Sequence, residues 1–430
     1  MRALPSLMVT AAPLAWLAVL GPRYGGELTV GAARAVADRL VRSLVDETLL
    51  RITTDGTLTA GLAELSPRAA DADAAMLTLR EGASFHDGRP VRAADAVASL
   101  QGFLRSTSVA AQTLSRAVVG IEALDDRRLL LRLDGPRPAA LFALAAPAAA
   151  LSGTGPFVPT LAVAGRRASV RAFAGHVRGR PYLDTVTVVT LPGESEAARA
   201  LRDGRVDAAV GAPGVSTPAA TLVLVLDPTR PPFDAPALRA AVDATVGRLG
   251  LARLLATDAR LPTLLMMEAD APAPSPTVDL GNGTAVTLGV EEGVPALASQ
   301  RIVATLSALG LRVTAASRGD AELRAASDPA RLLVFLPEVN EPALVLRELR
   351  SLVPGRSRAD EMLDAAERVA AGEPRRALLA RAEAALREEH ACLALIRWPV
   401  SFGAAAGIHG ARLEPDGRLV LEDAWREAGS

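Results

Sequence analysis

The segment from residue 284 to residue 316 places the tightest limit on the fold of this chain. It begins with the β-branched run TAVTLGV, continues through the helical pattern LASQRIVATLSALG, and ends in a second extended run, LRVTAA. A strand, a helix and a strand in this order form the unit that builds parallel sheet. The segment therefore predicts an α/β fold.

Two properties of the whole chain limit its partners. The chain has 430 residues, of which 22% are charged and half are hydrophobic, and this is enough for two or three lobes with their own cores. A formal net charge of -1 provides no field that would attract phosphates, and an aromatic content of 3% leaves few rings for stacking on bases. The composition therefore argues against nucleic acid as a partner.

The basic and sulfur-containing residues exclude several kinds of chemistry. All 47 basic residues are arginine, and Cys392 is the only cysteine. A chain without lysine has no P-loop lysine, Schiff-base lysine or lysine general base. A single cysteine forms neither an intrachain disulfide nor a cysteine cluster for zinc or iron–sulfur. We therefore expect no cofactor and no metal site.

The first 21 residues have the composition of an export signal. Arg2 precedes a largely apolar run to Leu20, which a Gly-Pro pair then breaks. A membrane anchor is the alternative, but Pro5 and Pro13 interrupt a run that is already at the short end for spanning a bilayer. We therefore expect residues 1–21 to direct the rest of the chain to the periplasm or the extracellular space.

The stretch LREGASFHDGRPVRAADAVASL, residues 79–100, brings a histidine and two aspartates close together. Asp87 and Gly88 form a turn pair, Pro90 keeps the preceding residue extended, and the alanine-rich sequence that follows favours a helix. A metal site would need further converging ligands, and the other histidines lie in unrelated segments. The stretch therefore predicts a strand, a turn and a helix, with His86 and Asp87 serving the fold.

Other segments predict further elements and one boundary. Residues 121–135 predict a hairpin, residues 182–191 a strand and residues 237–255 one helix. The proline-rich passage DPTRPPFDAP, residues 227–236, indicates a lobe boundary.

Short motifs in a fixed order resemble those of the family 5 extracellular solute-binding proteins, the peptide- and nickel-binding subunits of ATP-driven importers. The matching motifs are Gly26-Glu27-Leu28, Leu79-Arg80-Glu81-Gly82, Phe85-His86-Asp87-Gly88, Gly153-Thr154-Gly155-Pro156, Pro181-Tyr182-Leu183-Asp184 and Gly204-Arg205-Val206-Asp207. Each motif is short, but so many in one order are hard to obtain by chance.

The resemblance implies an α/β clamshell with two lobes, mixed sheets and a hinge. Its expected division is lobe I over 22–226 with a small inserted subdomain at about 57–150, lobe II over 227–395, and a return to lobe I over 396–430. The strand at 393–400 would then be part of the hinge. No cysteine lies near a possible cleavage site, so we expect a protein without the family's usual lipid anchor.

The segment FLPEVNEP, residues 335–342, resembles the ligand-binding segment of the oligopeptide-binding branch. Asn340, Glu341 and Pro342 are identical to that branch, and Glu338 stands where its aspartate pairs with the α-amino group of the ligand. A buried ammonium without a counter-charge costs several kcal/mol, so a carboxylate suits this place in a cleft. The resemblance implies a ligand role for Glu338, and a solvated loop residue is the alternative.

Five further residues are candidate ligand contacts. Phe335 and Asn340 belong to the same segment as Glu338. Trp398, in the return strand, either faces the ligand or fills core, and core filling is favoured. The guanidinium groups of Arg34 and Arg397 are able to bind a ligand carboxylate in bidentate geometry, although no family motif fixes their positions.

Three functions remain in competition. The first is a monomeric, non-catalytic receptor that closes around a peptide or related small solute and delivers it to an ABC permease in the membrane. The second keeps the fold in a sensor, or in a carrier of a less polar solute. The third, a secreted hydrolase, has little support because the sequence contains neither a G-x-S-x-G nor an H-E-x-x-H motif.

Overall fold

The computed structural model describes residues 21–53, 55–66, 73–163, 165–255, 283–319, 322–323, 327–414 and 416–427. The predicted export signal therefore lies outside the described residues, apart from Gly21. Within the described ranges, no helix is both long and apolar enough to cross a membrane.

The described residues form eleven α-helices. In chain order they are α1 (Arg34–Val45), α2 (Ala93–Phe103), α3 (Val109–Ala117), α4 (Pro138–Ala143), α5 (Glu194–Arg202), α6 (Pro236–Thr245), α7 (Arg248–Leu255), α8 (Ala296–Ala308), α9 (Pro342–Ser351), α10 (Ala359–Glu367) and α11 (Glu373–Glu388).

The same part of the chain contains nineteen strands. They are β1 (Glu27–Ala33), β2 (Leu50–Ile52), β3 (Leu58–Ala60), β4 (Ala63–Leu65), β5 (Ala74–Leu79), β6 (Val118–Ala123), β7 (Arg128–Leu133), β8 (Phe157–Val163), β9 (Arg167–Ala172), β10 (Thr185–Leu191), β11 (Ala208–Leu226), β12 (Ala285–Glu291), β13 (Arg312–Arg318), β14 (Ala330–Phe335), β15 (Cys392–Ala404), β16 (Ile408–His409), β17 (Arg412–Leu413), β18 (Leu419–Val420) and β19 (Trp425–Arg426).

Nine of these strands form one mixed sheet. Its order is β13-β12-β14-β11-β1-β10-β9-β8, and β15 pairs with β11 in addition. The strand-helix-strand unit predicted from the sequence is confirmed, because β12 and β13 are parallel neighbours with Ala285 opposite Arg312. Between them α8 buries Ile302 and Leu306 in the same apolar cluster as Leu288 of β12.

β11 and β15 form a long antiparallel ribbon that connects the two halves of this sheet. At one end of β11, Ala208 and Ala209 pair with β1. At the other end, residues 221–226 pair with β14. The β11–β15 register is irregular between these ends, with shifts between Val210 and Val215 and between Thr217 and Ala220.

Each half of the sheet has its own core. The first core packs α1 against β1 and β10, and its buried members include Leu28, Val30, Leu40, Leu44, Val186 and Val188. The second core packs α6, α7 and α8 against β11, β12 and β14, and its buried members include Leu222, Leu224, Val242, Leu251, Leu288 and Leu332. Two cores joined by a ribbon of two strands are the architecture of a two-lobed α/β clamshell.

A third core lies in the inserted segment and continues beyond it. The four-stranded sheet β4-β5-β7-β6 packs with α2, α3 and α4. Leu344 of α9, Leu363 of α10 and Leu379 of α11 are buried in the same cluster. Charged groups extend this contact, since Glu367 of α10 accepts from Arg116 of α3 at 3.1 Å. The sequence did not predict this packing of α9–α11 on the insert.

The single helix predicted over residues 237–255 is wrong. α6 ends at Thr245 and α7 begins at Arg248. Gly247 lies between them with a φ of 62°. This left-handed conformation is accessible to glycine at little cost and ends the helical run.

The Phe85–Gly88 turn joins β5 to α2, as predicted. The backbone N–H of His86 donates to the carbonyl of Gly153 at 2.8 Å, and its Nε2 donates to the carbonyl of Gly155 at 3.0 Å. The imidazole also meets the ring of Phe173 edge-on, with 5.0 Å between the centroids. The Phe85–Gly88 motif therefore contacts the Gly153–Pro156 motif, and His86 stabilises the turn through its bonds to this neighbouring loop.

Candidate functional site

A cavity lies where α1 of the first lobe meets the connection 336–341, which joins β14 to α9 in the second. Its lining residues are Arg39, Arg42, Ser43, Asp46, Glu47, Thr48, Arg51 and Ile52 from α1 and the chain after it, Ala145, Pro147 and Ala150 from the insert, Pro337 and Glu338 from the connection, and Asp416 and Arg418 from the turn between β17 and β18. The space between the walls is about 740 Å³, including open solvent. The cavity therefore has walls from both lobes.

Glu338 stands on the second-lobe wall of the cavity. Its backbone N–H donates to both carboxylate oxygens of Glu348 on α9, each at 3.2 Å, which fixes the course of the chain after Pro337. Its side chain is half-buried and lines the cavity. A carboxylate partly withdrawn from water attracts a cation more strongly than an exposed one. The position fits the role that the resemblance implies, and the role itself remains a prediction.

Glu341, three residues further on, has a different role. It is 2% exposed, its Oε2 accepts from the N–H of Leu344 at 3.0 Å, and its Oε1 accepts from Arg375 Nη2 at 2.6 Å. The first of these bonds caps the N-terminus of α9. Both oxygens of Glu341 are therefore used inside the protein.

Three other predicted contacts from this region and the return strand lie away from the cavity lining. Asn340 is exposed, between the buried Val339 and Glu341. Phe335 is 8% exposed and packs in a small apolar cluster with Val345. Trp398 is 9% exposed and belongs to the second core.

The two predicted arginines also lie outside the lining of this cavity. Arg34 is the first residue of α1, is exposed, and lies beside Gly165 in the turn between β8 and β9. Arg397 is half-buried in β15, opposite Thr221 of β11. Of the six predicted ligand contacts, the structure therefore places only Glu338 on the cavity.

Arg39 is the lining residue that sequence reasoning missed. Its Nη2 donates to the carbonyl of Leu336 at 3.4 Å, so a side chain of α1 reaches the connection of the second lobe. Burial lowers the pKa of Arg39, and the negative charges of Glu338 and Asp416 act against this lowering. The sequence feature that could have indicated Arg39 as a cavity residue is its pairing with Arg42, one turn away on a helix whose other face is apolar.

Glu47 lines the cavity on the first-lobe side, and its negative charge is paired with neighbouring arginines. It is 1% exposed, its Oε1 accepts from Arg51 Nε at 2.7 Å, and its Oε2 accepts from Arg178 Nη2 at 3.1 Å. Burial alone would raise its pKa, but the interaction with His176, whose Nε2 lies 3.5 Å from Oε2, and the charges of Arg51 and Arg178 outweigh burial and lower the pKa to about 2. Arg178 also donates to Glu422 at 2.8 Å, which ties the network to the C-terminal segment.

The chemistry of the cavity is that of ion pairs and hydrogen bonds. Its charged lining consists of four arginines and four carboxylates, contributed by both lobes. Across the described ranges, no group of three or more His, Cys, Asp or Glu side chains has an arrangement that could hold a metal ion. The arrangement suits a polar or charged solute held by side chains from two sides.

Comparison with known proteins gives one family. The model of the bacterial extracellular solute-binding proteins, family 5 (middle), matches residues 57–279. Among curated proteins, no sequence matches the chain.

Solved structures with a similar fold cover nearly the whole chain. NikA from Staphylococcus aureus, in complex with Ni(L-His)2, has a TM-score of 0.81 and 15% identity over 93% of this chain and 100% of its own. AppA from Bacillus subtilis, in complex with a nonapeptide, has a TM-score of 0.80 and 16% identity over 95% of this chain and 100% of its own. DppA from Helicobacter pylori, in complex with the peptide STSA, has a TM-score of 0.79 and 18% identity over 93% of this chain and 99% of its own. These likenesses confirm the predicted clamshell fold.

Proposed function

Because the chain belongs to the family 5 bacterial extracellular solute-binding proteins, we propose that it is an exported, monomeric receptor for a peptide or a related small solute. It closes its two lobes around this solute and delivers it to an ABC permease. The similar structures of AppA and DppA hold a nonapeptide and the peptide STSA, which supports a peptide as the solute. In this role the protein binds without catalysing a reaction.

The observation that carries the proposal is the cavity with walls from both lobes. Arg39 and Asp46 line it from α1, and Glu338 lines it from the connection after β14. A solute that contacts both walls binds the closed arrangement better than the open one, so its differential affinity favours closure. Closure is the signal that a permease is able to recognise.

The ribbon of β11 and β15 supports a hinge. The ribbon leaves the first core after Val210 and enters the second core at Ala220. Two of the three register shifts in the ribbon fall between these residues, and the third lies just beyond them, between Leu222 and Val223. We place the pivot there, slightly before the division at residue 226 that the sequence predicts.

Native mass spectrometry of gently purified protein tests the proposal directly. A copurified peptide or small solute should appear as added mass, and it should be lost on denaturation. Small-angle scattering before and after stripping the solute should show a larger radius of gyration for the empty protein. A stripped protein that binds no peptide from a mixed pool, and keeps its radius of gyration throughout, would contradict this function.

A further inference from the structure

The turn between β17 and β18 reaches from the first core to the cavity. Leu419 of β18 is buried in the first core. The N–H of Glu414 donates to the carbonyl of Arg418 at 2.8 Å, and the N–H of Gly417 donates to the carbonyl of Glu414 at 2.9 Å. Asp416 and Arg418 line the cavity from this turn. The turn is therefore a part of the first lobe that ends at the cavity.

Gly417, in this turn, lies against three other elements. A Cβ atom added to it would be 3.0 Å from Cβ of Ala219 in β11, 3.3 Å from Cγ2 of Val400 in β15 and 3.4 Å from Cδ1 of Leu336 in the connection after β14. Carbon atoms in contact usually lie about 3.5 to 4.0 Å apart, so even a methyl group would be too close. Leu336 packs against the second core, and Val400 packs against both cores. At Gly417 the first lobe therefore contacts the second lobe and the ribbon between them.

The contact with the ribbon lies at the pivot. Ala219 falls inside the register shift between Thr217 and Ala220, where β11 has an extra residue relative to β15. An extra residue of this kind bends a strand and increases its local twist. Rotation of the lobes about this place changes the distance between Ala219 and the turn that packs on it. The β17–β18 turn is therefore placed to limit how far the lobes rotate.

A second hairpin turn in the chain has the same local structure without this packing. In the turn between β2 and β3, the N–H of Thr53 donates to the carbonyl of Thr57 at 2.9 Å, and the N–H of Gly56 donates to the carbonyl of Thr53 at 3.0 Å. Each glycine follows an aspartate, and φ is 81° at Gly56 and 78° at Gly417. Apart from its chain neighbours, no described atom lies within 4 Å of a Cβ added to Gly56. Turn conformation accounts for both glycines, and close packing is a second requirement at Gly417.

We propose that Gly417 is a positioning residue for closure, because the absence of a side chain lets the β17–β18 turn pack directly on the pivot and on the connection of the second lobe. This inference rests on the proposed function, since it concerns closure around the same cavity. Packed atoms are nearly incompressible, so a side chain at this position must be accommodated by movement of its neighbours. The ribbon and the connection move together with the second lobe. A side chain at position 417 therefore acts as a wedge that holds the lobes further apart.

The distance between the lobes in the solute-free protein tests the wedge without any ligand. Spin labels at Ala162→Cys on β8 and Ser307→Cys on α8, both exposed, report this distance by double electron–electron resonance after the buried Cys392 is replaced by alanine. In this labelled protein Gly417→Ala should lengthen the mean distance, and Gly56→Ala should leave it unchanged. Both substitutions place an alanine at nearly the same positive φ, so the strain that they share cancels in the comparison.

Two further variants locate the cause of the lengthening. Ala219→Gly removes the atom nearest to the added methyl group, so Gly417→Ala/Ala219→Gly should return the distance to that of Ala219→Gly. Ala219→Val presses on the same contact from the ribbon and should lengthen the distance as well, which keeps the test decisive if Gly417→Ala does not fold. An unchanged distance in both Gly417→Ala and Ala219→Val, or a lengthening that Ala219→Gly does not reverse, would overturn the proposal.

Peptide binding tests whether the wedge acts on the cavity. Trialanine should shorten the distance between the labels in the protein with the native glycines, and it should bind Gly417→Ala about tenfold more weakly, because part of its binding energy is used to close a protein that is held open. Gly56→Ala should bind it as tightly as the wild type does. Equal affinity of Gly417→Ala and the wild type would overturn the proposal. If no protein of the set binds trialanine, the peptide assignment fails, and the solute-free distances still decide the role of Gly417.

Discussion

Two glutamates in one short connection have opposite surroundings. Glu341 is 2% exposed, and its two oxygens hold the N-terminus of α9 and the guanidinium of Arg375. Glu338, three residues earlier, is half-buried and lines the cavity between the lobes. Glu341 is the residue identical to the oligopeptide-binding branch, yet Glu338, which replaces an aspartate, is the one at the cavity. The residue that is identical to the motif, Glu341, is therefore a helix cap. The candidate ligand contact, Glu338, is recognised by its place on the cavity.

The largest expected effect belongs to Glu341→Gln. The substitution leaves the 8% exposed Arg375 without its anion, and breaking a buried pair in this way should lower the free energy of unfolding by about 3 to 5 kcal/mol. Urea denaturation measures this loss. Solute affinity of the protein that remains folded should stay unchanged. A stable Glu341→Gln protein with weakened binding would reverse the roles assigned to the two glutamates.

Acid should weaken the pairing of the Glu47 carboxylate, which lines the same cavity as Glu338. The pKa of Glu47 is lowered in the folded protein from 4.5 to about 2. Its contribution is therefore complete above pH ~4.5 and is lost as the pH falls from there toward about 2. The loss should amount to about 3 kcal/mol of unfolding free energy. Denaturation across this range measures it, and Glu47→Gln should flatten the pH dependence.

Glu338→Gln should act on binding rather than on stability. The substitution keeps the size of the side chain and removes its charge, so affinity for trialanine should fall by about 2 to 3 kcal/mol, because Glu338 is only half-buried. N-acetyl-trialanine should bind the wild type and Glu338→Gln equally. Substitution of Glu338 and acetylation of the peptide should together cost less affinity than the sum of their separate costs. Calorimetry on the four combinations measures this coupling. Equal affinity of both proteins for the free amine would remove Glu338 from the site.

Features set by local sequence were predictable. The β-branched runs on either side of α8 predicted parallel strands, and β12 and β13 pair in that way. The Phe85–Gly88 motif predicted a turn between a strand and a helix, and it lies between β5 and α2. In both cases the determining information lies within a few tens of residues.

Features set by tertiary contact were not predictable. Gly247 divides a segment with a continuous helical composition, because a glycine costs little in the left-handed conformation that the fold requires there. Arg39 reaches the cavity only because α1 packs beside a connection about 300 residues away in sequence, since its contact with Leu336 spans 297 positions. Trp398 and Phe335 have the side chains of a ligand pocket, but the strands that carry them turn both rings into apolar clusters. Residue type alone does not distinguish these outcomes.

The smallest expected effect is that of His86→Ala, which tests whether a family motif outside the cavity serves only the fold. The substitution removes the bond from Nε2 to the carbonyl of Gly155 and the edge-on contact with Phe173, and these should cost about 1 to 2 kcal/mol of unfolding free energy. His409→Ala is the matched control, because His409 is exposed, stacks on Trp425 and has only a 3.8 Å contact with Glu427 Oε2 in addition, so its loss should be smaller. Trialanine affinity should be the same in both variants as in the wild type. A His86→Ala protein that folds normally but loses binding would show that the turn acts on the ligand site. The distinction between His86, as a residue that serves the fold, and Glu338, as a residue of the cavity, would then be wrong.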